Sequence, residues 1–176
     1  MARGRRLHHG VAALVMARLA LLSHGGGTIA VPVTATRTFE KLAETHGGQV
    51  IRTKYDLHAL MMAASKEGVI LATDANGNFI FPDFQPAADG MMALIRLLQY
   101  LARQETSLSA IASGLPSFSM ETRQVACPWE AKGKVMRQLN ETYKDYNSDN
   151  LDGIKIFLQE GEWVLVLPDP DQPQYH

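Results

Sequence analysis

Apolar and polar positions alternate in blocks along the chain, and the block lengths already separate helix from strand. Val11–Leu22 is largely apolar and reads as a helix, ended by the Gly25-Gly26-Gly27 run, after which Ile29–Val33 reads as a buried strand. Thr38, placed as a cap before Phe39, Leu42 and Ala43 at helical spacing, opens a short helix that His46-Gly47-Gly48 stops. The pattern then predicts a strand over Val50–Thr53, a helix over Asp56–Ser65 and a strand over Val69–Ala72. Strands and helices joined by short connections predict an α/β domain with a mainly parallel sheet flanked by helices.

A polar turn at Asp74–Asn78 leads into Phe79-Ile80-Phe81, which Pro82 closes. A long helix follows from Ala88 to Arg103, with Met91, Leu94, Leu98 and Leu101 along one face. Leu108–Ser113 reads as a further helical turn or two before Gly114-Leu115-Pro116 breaks the chain, so the first domain is expected over 1–116. From 117 to 176 the pattern changes to a strand over Ser117–Val125, a helix over Trp129–Tyr143 begun by Pro128, and a hairpin of Gly153–Phe157 with Trp163–Leu167 turned at Glu160-Gly161. That order predicts a small α+β domain, marginal by itself at about sixty residues.

Composition narrows the function classes. The chain has 176 residues, 46% of them hydrophobic, enough for a packed core. Seventeen Lys and Arg against eighteen Asp and Glu leave a net charge of −1, which argues against nucleic acid as a partner. The charge is unevenly placed. Residues 1–39 hold Arg3, Arg5, Arg6, Arg18 and Arg37 with no acid, whereas 140–176 hold eight acids against Lys144 and Lys155. No apolar run is long enough to span a bilayer. The basic Met1–Arg6, apolar Val11–Leu22 and small Ser23–Gly27 imitate a secretory signal, but Arg18 interrupts the apolar part and a convincing strand follows directly. The single cysteine, Cys127, excludes a disulfide framework within the chain and fits a reducing, cytoplasmic setting.

The phosphate-cradling GxxxxGK[ST] loop, the GxGxxG turn, HExxH and GxSxG are all missing. His8-His9 cannot face one metal as an i, i+4 pair would, and His24, His46 and His58 stand apart. Two loops remain. Asp74, Asn76, Gly77 and Asn78 follow a presumed parallel strand, where open α/β sheets bind ligands, and their carboxylate and amides suit sugar hydroxyls; an ordinary Asn-Gly turn explains the same residues. Leu167, Pro168, Asp169 and Asp171 lie in a proline-fixed acidic loop after the last strand, which would repel phosphate and is too poor in ligands for a metal.

Taken in order, these segments resemble the C-terminal half of the α-D-phosphohexomutases, the phosphoglucomutases and phosphomannomutases. Thr28-Ile-Ala-Val-Pro-Val-Thr34 and Gly47-Gly-Gln-Val-Ile-Arg-Thr-Lys54 resemble the third domain's strand and its G-x-x-V-x-R-T segment. Asp74-Ala-Asn-Gly-Asn-Phe-Ile-Phe81 stands in the place of the sugar-binding GE-x-SGH loop, and Ala88-Asp-Gly-Met-Met-Ala-Leu94 is similar to the helix start that follows it. Leu151-Asp-Gly-Ile-Lys155 and Trp163-Val-Leu-Val-Leu-Pro168 resemble the fourth domain's DG-x-K and W-x-L-V-R-P.

The resemblance implies a third-domain-like α/β unit and a C-terminal-domain-like unit from an enzyme class that moves a phosphoryl group between C1 and C6 of a hexose phosphate. It implies Mg²⁺ and a phosphoserine for the complete enzyme, both carried by N-terminal domains that have no counterpart here, so no cofactor is expected on this chain and no catalytic residue is assigned. In the sugar loop, Asp74 stands for the glutamate, Asn76 for the serine and Asn78 for the histidine, while Gly77 is kept. In the phosphate clamp RPSGTEPK becomes Leu167-Pro-Asp-Pro-Asp-Gln-Pro-Gln174, so Leu167 replaces the arginine and Asp169 and Asp171 replace hydroxyl donors. Losing a bidentate cation and gaining two anions weakens phosphate binding. The pattern also resembles the mutase-like half of bacterial fusions whose other half is a sugar-1-phosphate nucleotidyltransferase, such as a mannose-1-phosphate guanylyltransferase. Two functions follow: part of a phosphohexomutase that is not catalytic alone, or a mutase-derived binding or scaffold module of a nucleotidyltransferase. The expected partners are a hexose phosphate, the missing domains or a nucleotidyltransferase, and, in a homo-oligomer, a second copy of the chain.

Overall fold

The computed structural model describes residues 7–158 and 162–176, and the chain divides into two compact units, Met1–Phe118 and Ser119–His176. In the first, α1 (His9–His24) leads into β1 (Gly27–Pro32), then α2 (Thr38–Thr45), β2 (Gly48–Thr53), α3 (Leu57–Ala64), β3 (Val69–Thr73), β4 (Phe79–Ile80), α4 (Gly90–Arg103) and α5 (Leu108–Ser113). The sheet order is β2-β1-β3-β4, with β1 parallel to β2 and β3, and β4 antiparallel to β3. The expected α/β architecture is present: a mainly parallel sheet with helices on it.

Alternation along β1 sends Ile29 and Val31 into one cluster and Ala30 into another. The larger cluster is built on α1, which buries Ala13, Leu14, Val15, Met16, Ala17, Leu19, Ala20 and Leu21. A helix apolar nearly all round is an interior helix, and that accounts for the apolar run near the N-terminus. Its Arg18 donates from Nη1 to the Ile111 carbonyl at the last turn of α5 (3.2 Å), where a cation meets the negative end of the helix. The smaller cluster packs Leu60, Ala63 and Ala64 of α3 against Ala30, Val69, Ala72 and Ile80. No helix among the described residues is long and apolar enough to cross a membrane.

Three expectations change in this unit. Thr38 is not the cap of α2; its own N–H is received by Thr36 Oγ1 at 3.2 Å, because the hydroxyl two residues earlier reaches the open first turn. Phe81 leaves the strand as soon as β4 has paired, yet stays buried. The face of α4 is also rotated: Met91, Leu94 and Leu98 are 79%, 58% and 59% exposed, and the helix seats Ala93, Leu97, Tyr100 and Leu101 on the core instead. Apolar residues occupy both sides of α4, so periodicity could not choose, and small Ala93 permits the closer approach.

The second unit holds β5 (Val125–Ala126), α6 (Trp129–Thr142), β6 (Ser148–Asp149), β7 (Ile154–Phe157), β8 (Trp163–Val166) and β9 (Gln174–Tyr175). β6, β7 and β8 form an antiparallel sheet, and β5 pairs with β9. The expected hairpin pair is there; its Glu160-Gly161 turn lies outside the described residues. Ser117–Val125 does not form the expected strand: Phe118 packs on the core of the first unit, Ser119–Gln124 pair with no strand, and only Val125 begins β5. Ile154, Ile156, Leu167, Tyr175 and Cys127 form the buried apolar set of this small unit.

Candidate functional site

The carboxyl ends of β1 and β3 open into a cleft of about 200 Å³ lined by Pro32, Tyr55, Asp56, Leu57, Leu60, Asp74, Asn76 and Asn78. Its apolar floor is Pro32, Leu57 and Leu60, and its rim is polar. The end of β1, the link from β2 to α3 with the first turns of α3, and the turn from β3 to β4 supply it.

The loop after β1 is held by one cation. Arg52 on β2 donates from Nε and Nη2 to the two Glu40 carboxylate oxygens (2.8 and 2.7 Å), from Nη1 to the carbonyls of Pro32 and Ala35 (2.9 and 2.8 Å), and from Nη2 to that of Thr36 (3.1 Å). A guanidinium has five N–H groups in a fixed fork, and all are used. The arginine of the G-x-x-V-x-R-T segment thus ties α2 to the loop after β1 and holds the carbonyl of Pro32, which lines the cleft.

In the turn from β3 to β4, Asp74 is the frame. Its Oδ1 accepts from the N–H groups of Asn76 (2.9 Å) and Asn78 (3.0 Å), and Oδ2 from the Asn78 side-chain amide (2.8 Å). Gly77 takes φ +96°, a conformation L side chains rarely adopt. Thr73 Oγ1 closes the turn by donating to the Asn78 carbonyl at 2.8 Å. The structure thus brings Asp74, Asn76, Gly77 and Asn78 together at the cleft, with the carboxylate committed to the turn. Asn76 reaches outward, donating from Nδ2 to the Tyr55 hydroxyl at 3.1 Å.

Sequence reasoning missed Tyr55, Asp56 and Leu57 at the same cleft. The rule that singled out Asp74, the carboxyl end of a parallel strand, applies equally to the residues after β2 and would have found them. Asp56 has a second duty as cap of α3, its Oδ1 accepting from the Ala59 N–H at 2.6 Å.

The acidic loop lies in the second unit. Leu167 is buried and exchanges two backbone hydrogen bonds with His176, each of 2.9 Å, so the residue in the arginine position of the clamp serves the core. Pro168 bridges to Tyr175, and Asp171 is exposed. The loop is not a loosely solvated turn. The Lys132 ammonium of α6 donates to the carbonyls of Asp169 and Gln172 at 2.5 Å each, and lies 3.9 Å from the centre of the Trp129 ring. The Tyr175 hydroxyl donates back to the Lys132 carbonyl at 2.7 Å. Contacts across 37 and 40 residues carry no local sequence signal.

Asp169 collects N–H donors, and its carboxyl is held well below the usual carboxylate range, chiefly by the Gln174 amide, then by the Asp171 N–H and His176. Lys132→Met keeps the stem and removes the cation, and is expected to cost about 1–3 kcal/mol, since the Asp169 carbonyl loses its donor and the Gln172 carbonyl is left with the Gln174 N–H alone. Amide hydrogen exchange over residues 169–175 would report it as lost protection there, with the first unit unchanged.

No group of three or more His, Cys, Asp or Glu among the described residues is placed to hold a metal ion. His46 has its pKa lowered by partial burial and by Arg18. Cys127 is buried as a free thiol, with Sγ 3.6 Å from the Pro128 carbonyl.

A four-stranded, mainly parallel sheet flanked by helices, with a cleft at its carboxyl ends, defines the class as an α/β domain. Residues 9–118 match the phosphoglucomutase/phosphomannomutase α/β/α domain III, and the chain belongs to that family. The probable phosphoglucosamine mutase of Methanopyrus kandleri is 34% identical over 168 residues, covering 93% of this chain and 36% of that protein. The phosphoglucomutase/phosphomannomutase of Thermococcus kodakarensis is 27% identical over 161 residues, covering 90% and 35%. A phosphoglucomutase/phosphomannomutase family protein from Burkholderia thailandensis shares the fold, with TM-score 0.78 and 22% identity over 98% of this chain and 37% of that one. The chain thus spans about a third of the length of these relatives.

Proposed function

We propose that this chain is the sugar-binding portion of a cytoplasmic phosphohexomutase, presenting a hexose phosphate to phosphoryl-transfer machinery carried by the family's other domains. The cleft carries the reading. Its floor suits the apolar face of a pyranose, and Asn76, Asn78 and Tyr55 place amide and hydroxyl groups for sugar hydroxyls. Its lining holds two carboxylates and no Lys or Arg, which favours a neutral or amino-substituted ring over a phosphate at this point. A glucosamine phosphate fits that charge, in keeping with the probable phosphoglucosamine mutases of Methanopyrus kandleri and Methanothermobacter thermautotrophicus, the latter 30% identical over 154 residues. Magnesium, where the complete enzyme uses it, is held outside this chain.

A second reading rests on the acidic loop. Leu167 is buried and Asp169 is bound within the loop, which speaks against phosphate being held at this position. That favours a mutase-derived scaffold, attached for instance to a sugar-1-phosphate nucleotidyltransferase.

Calorimetric titration with glucosamine 1-phosphate, glucose 1-phosphate and mannose 1-phosphate separates the two. The sugar site is expected to give millimolar or tighter binding, strongest for the amino sugar, and Asn76→Ala to weaken it about fivefold or more, as for one lost hydrogen bond. No heat with any of the three leaves the scaffold. In a coupled mutase assay the chain alone is expected to be inactive.

A further inference from the structure

The turn between β3 and β4 holds the one Asn-Gly pair of the chain, and the fold leaves that pair chemically open. Asn76 and Gly77 are both exposed. Asp74 Oδ1 takes the N–H groups of Asn76 (2.9 Å) and Asn78 (3.0 Å), whereas the Gly77 N–H between them meets no acceptor among the described residues. Glycine has no Cβ to screen that nitrogen, and even a methyl group built there would find nothing within 4 Å. The other four asparagines are each followed by a residue with a side chain. Asn78 also spends its amide on Asp74 Oδ2 (2.8 Å) and leads into β4, and Asn140 lies inside α6 with its amide on the Met136 carbonyl (3.0 Å). Asn147 leads into β6, and the N–H after Asn150 is taken by Asp149 Oδ1 at 2.9 Å.

We infer that Asn76-Gly77 is a site of spontaneous covalent modification, at which the amide on the cleft lining becomes a carboxylate and the main chain is partly rerouted through the side chain of residue 76. Water is the sole co-reactant. The Gly77 nitrogen gives its proton to hydroxide and bonds to Asn76 Cγ; the Cγ–Nδ2 bond breaks, and the amide nitrogen leaves as ammonia with a proton from water. A second water opens the cyclic imide at either carbonyl, giving aspartate or isoaspartate. The sum exchanges one ammonia for one water, with nothing oxidised or reduced.

Either product changes the cleft. The new carboxylate joins Asp56 and Asp74 on the lining, and it can only accept from the Tyr55 hydroxyl, to which the Asn76 amide donates at 3.1 Å. Isoaspartate also lengthens the main chain between the two N–H groups that Asp74 holds, so the pair loses its common geometry. The inference needs no sugar in the cleft and stands apart from the reading of what binds there.

The test ages the full chain in mildly acidic and mildly alkaline buffer, native and in guanidinium chloride, and follows it by peptide mapping with mass spectrometry. Fragment spectra separate position 76 from 78, and chromatography separates isoaspartate from aspartate. Residue 76 is expected to exchange ammonia for water while Asn78, Asn140, Asn147 and Asn150 stay intact in the native chain over the same period. Alkali is expected to speed the change, because the Gly77 N–H must lose its proton. Asn76→Gln, whose longer side chain closes a larger ring, is expected to leave the segment unchanged. The native chain is expected to react within about tenfold of the rate in guanidinium chloride. A native rate further below that shows a fold that shields the pair, and overturns the inference. Equally fast conversion at any other asparagine of the native chain overturns it, as does a rate indifferent to alkali.

Discussion

Arg52→Leu is expected to destabilise the first unit by about 2–4 kcal/mol, the scale for losing several charge-assisted hydrogen bonds while their acceptors stay partly buried. The guanidinium joins Glu40 on α2 to three carbonyls at and after the end of β1; its removal leaves the Glu40 carboxylate and the Ala35 carbonyl without this donor, while the Pro32 and Thr36 carbonyls keep the N–H groups of Ala35 and Phe39. Chemical denaturation followed at a first-unit probe gives the loss directly. Arg52→Lys is expected to recover less than half of it, because a point ammonium cannot serve a bidentate carboxylate and three diverging carbonyls together. Because Pro32 is both a partner of Arg52 and part of the cleft floor, sugar affinity is expected to fall in both variants. A variant of native stability would show that the loop is held by its own turns.

Gly153→Ala is expected to cost about 2–4 kcal/mol, from the left-handed backbone together with a forced contact. Gly153 has φ +69°, and a methyl group there would press on the Val166 carbonyl and lie 3.1 Å from the Leu167 Cα. The glycine of the DG-x-K segment is thus needed where β7 begins beside the end of β8. A unit of this size has little stability to lose, so the expected result is selective melting: amide resonances of Ser119–His176 collapse while those of the first unit persist. Retention of dispersed second-unit resonances would contradict it.

The α/β alternation and most helices of the first unit are legible in the sequence, because each is long enough to show its period and is bounded by turn residues. Asp56 and Asp89 mark the starts of their helices, each accepting from an N–H three residues on. Short strands are not legible. β6 and β9 have two residues each, too few for alternation, and exist because a distant partner receives them. The buried face of α4 escapes for another reason: hydrophobic spacing locates apolar faces but does not say which of two will be covered.

At the cleft, local sequence locates the Asp74 turn but not the division of labour within it. A carboxylate that reads as a ligand is spent on its own turn, and Asn76 faces the opening. In the acidic loop, residue types show the charge, while only the fold shows that Lys132 and His176 meet it.

The interior position of α1 sets a timetable for synthesis. This helix is made before the strands it covers, and before α4 and α5, which close over it roughly 90 residues later. At ribosomal rates of about 5–20 residues per second, Leu14, Leu19 and Leu21 wait roughly 5–20 s for their last neighbours. The nascent chain thus carries a sticky segment through most of the first unit's translation, and its demand for chaperones is set by topology more than by final stability.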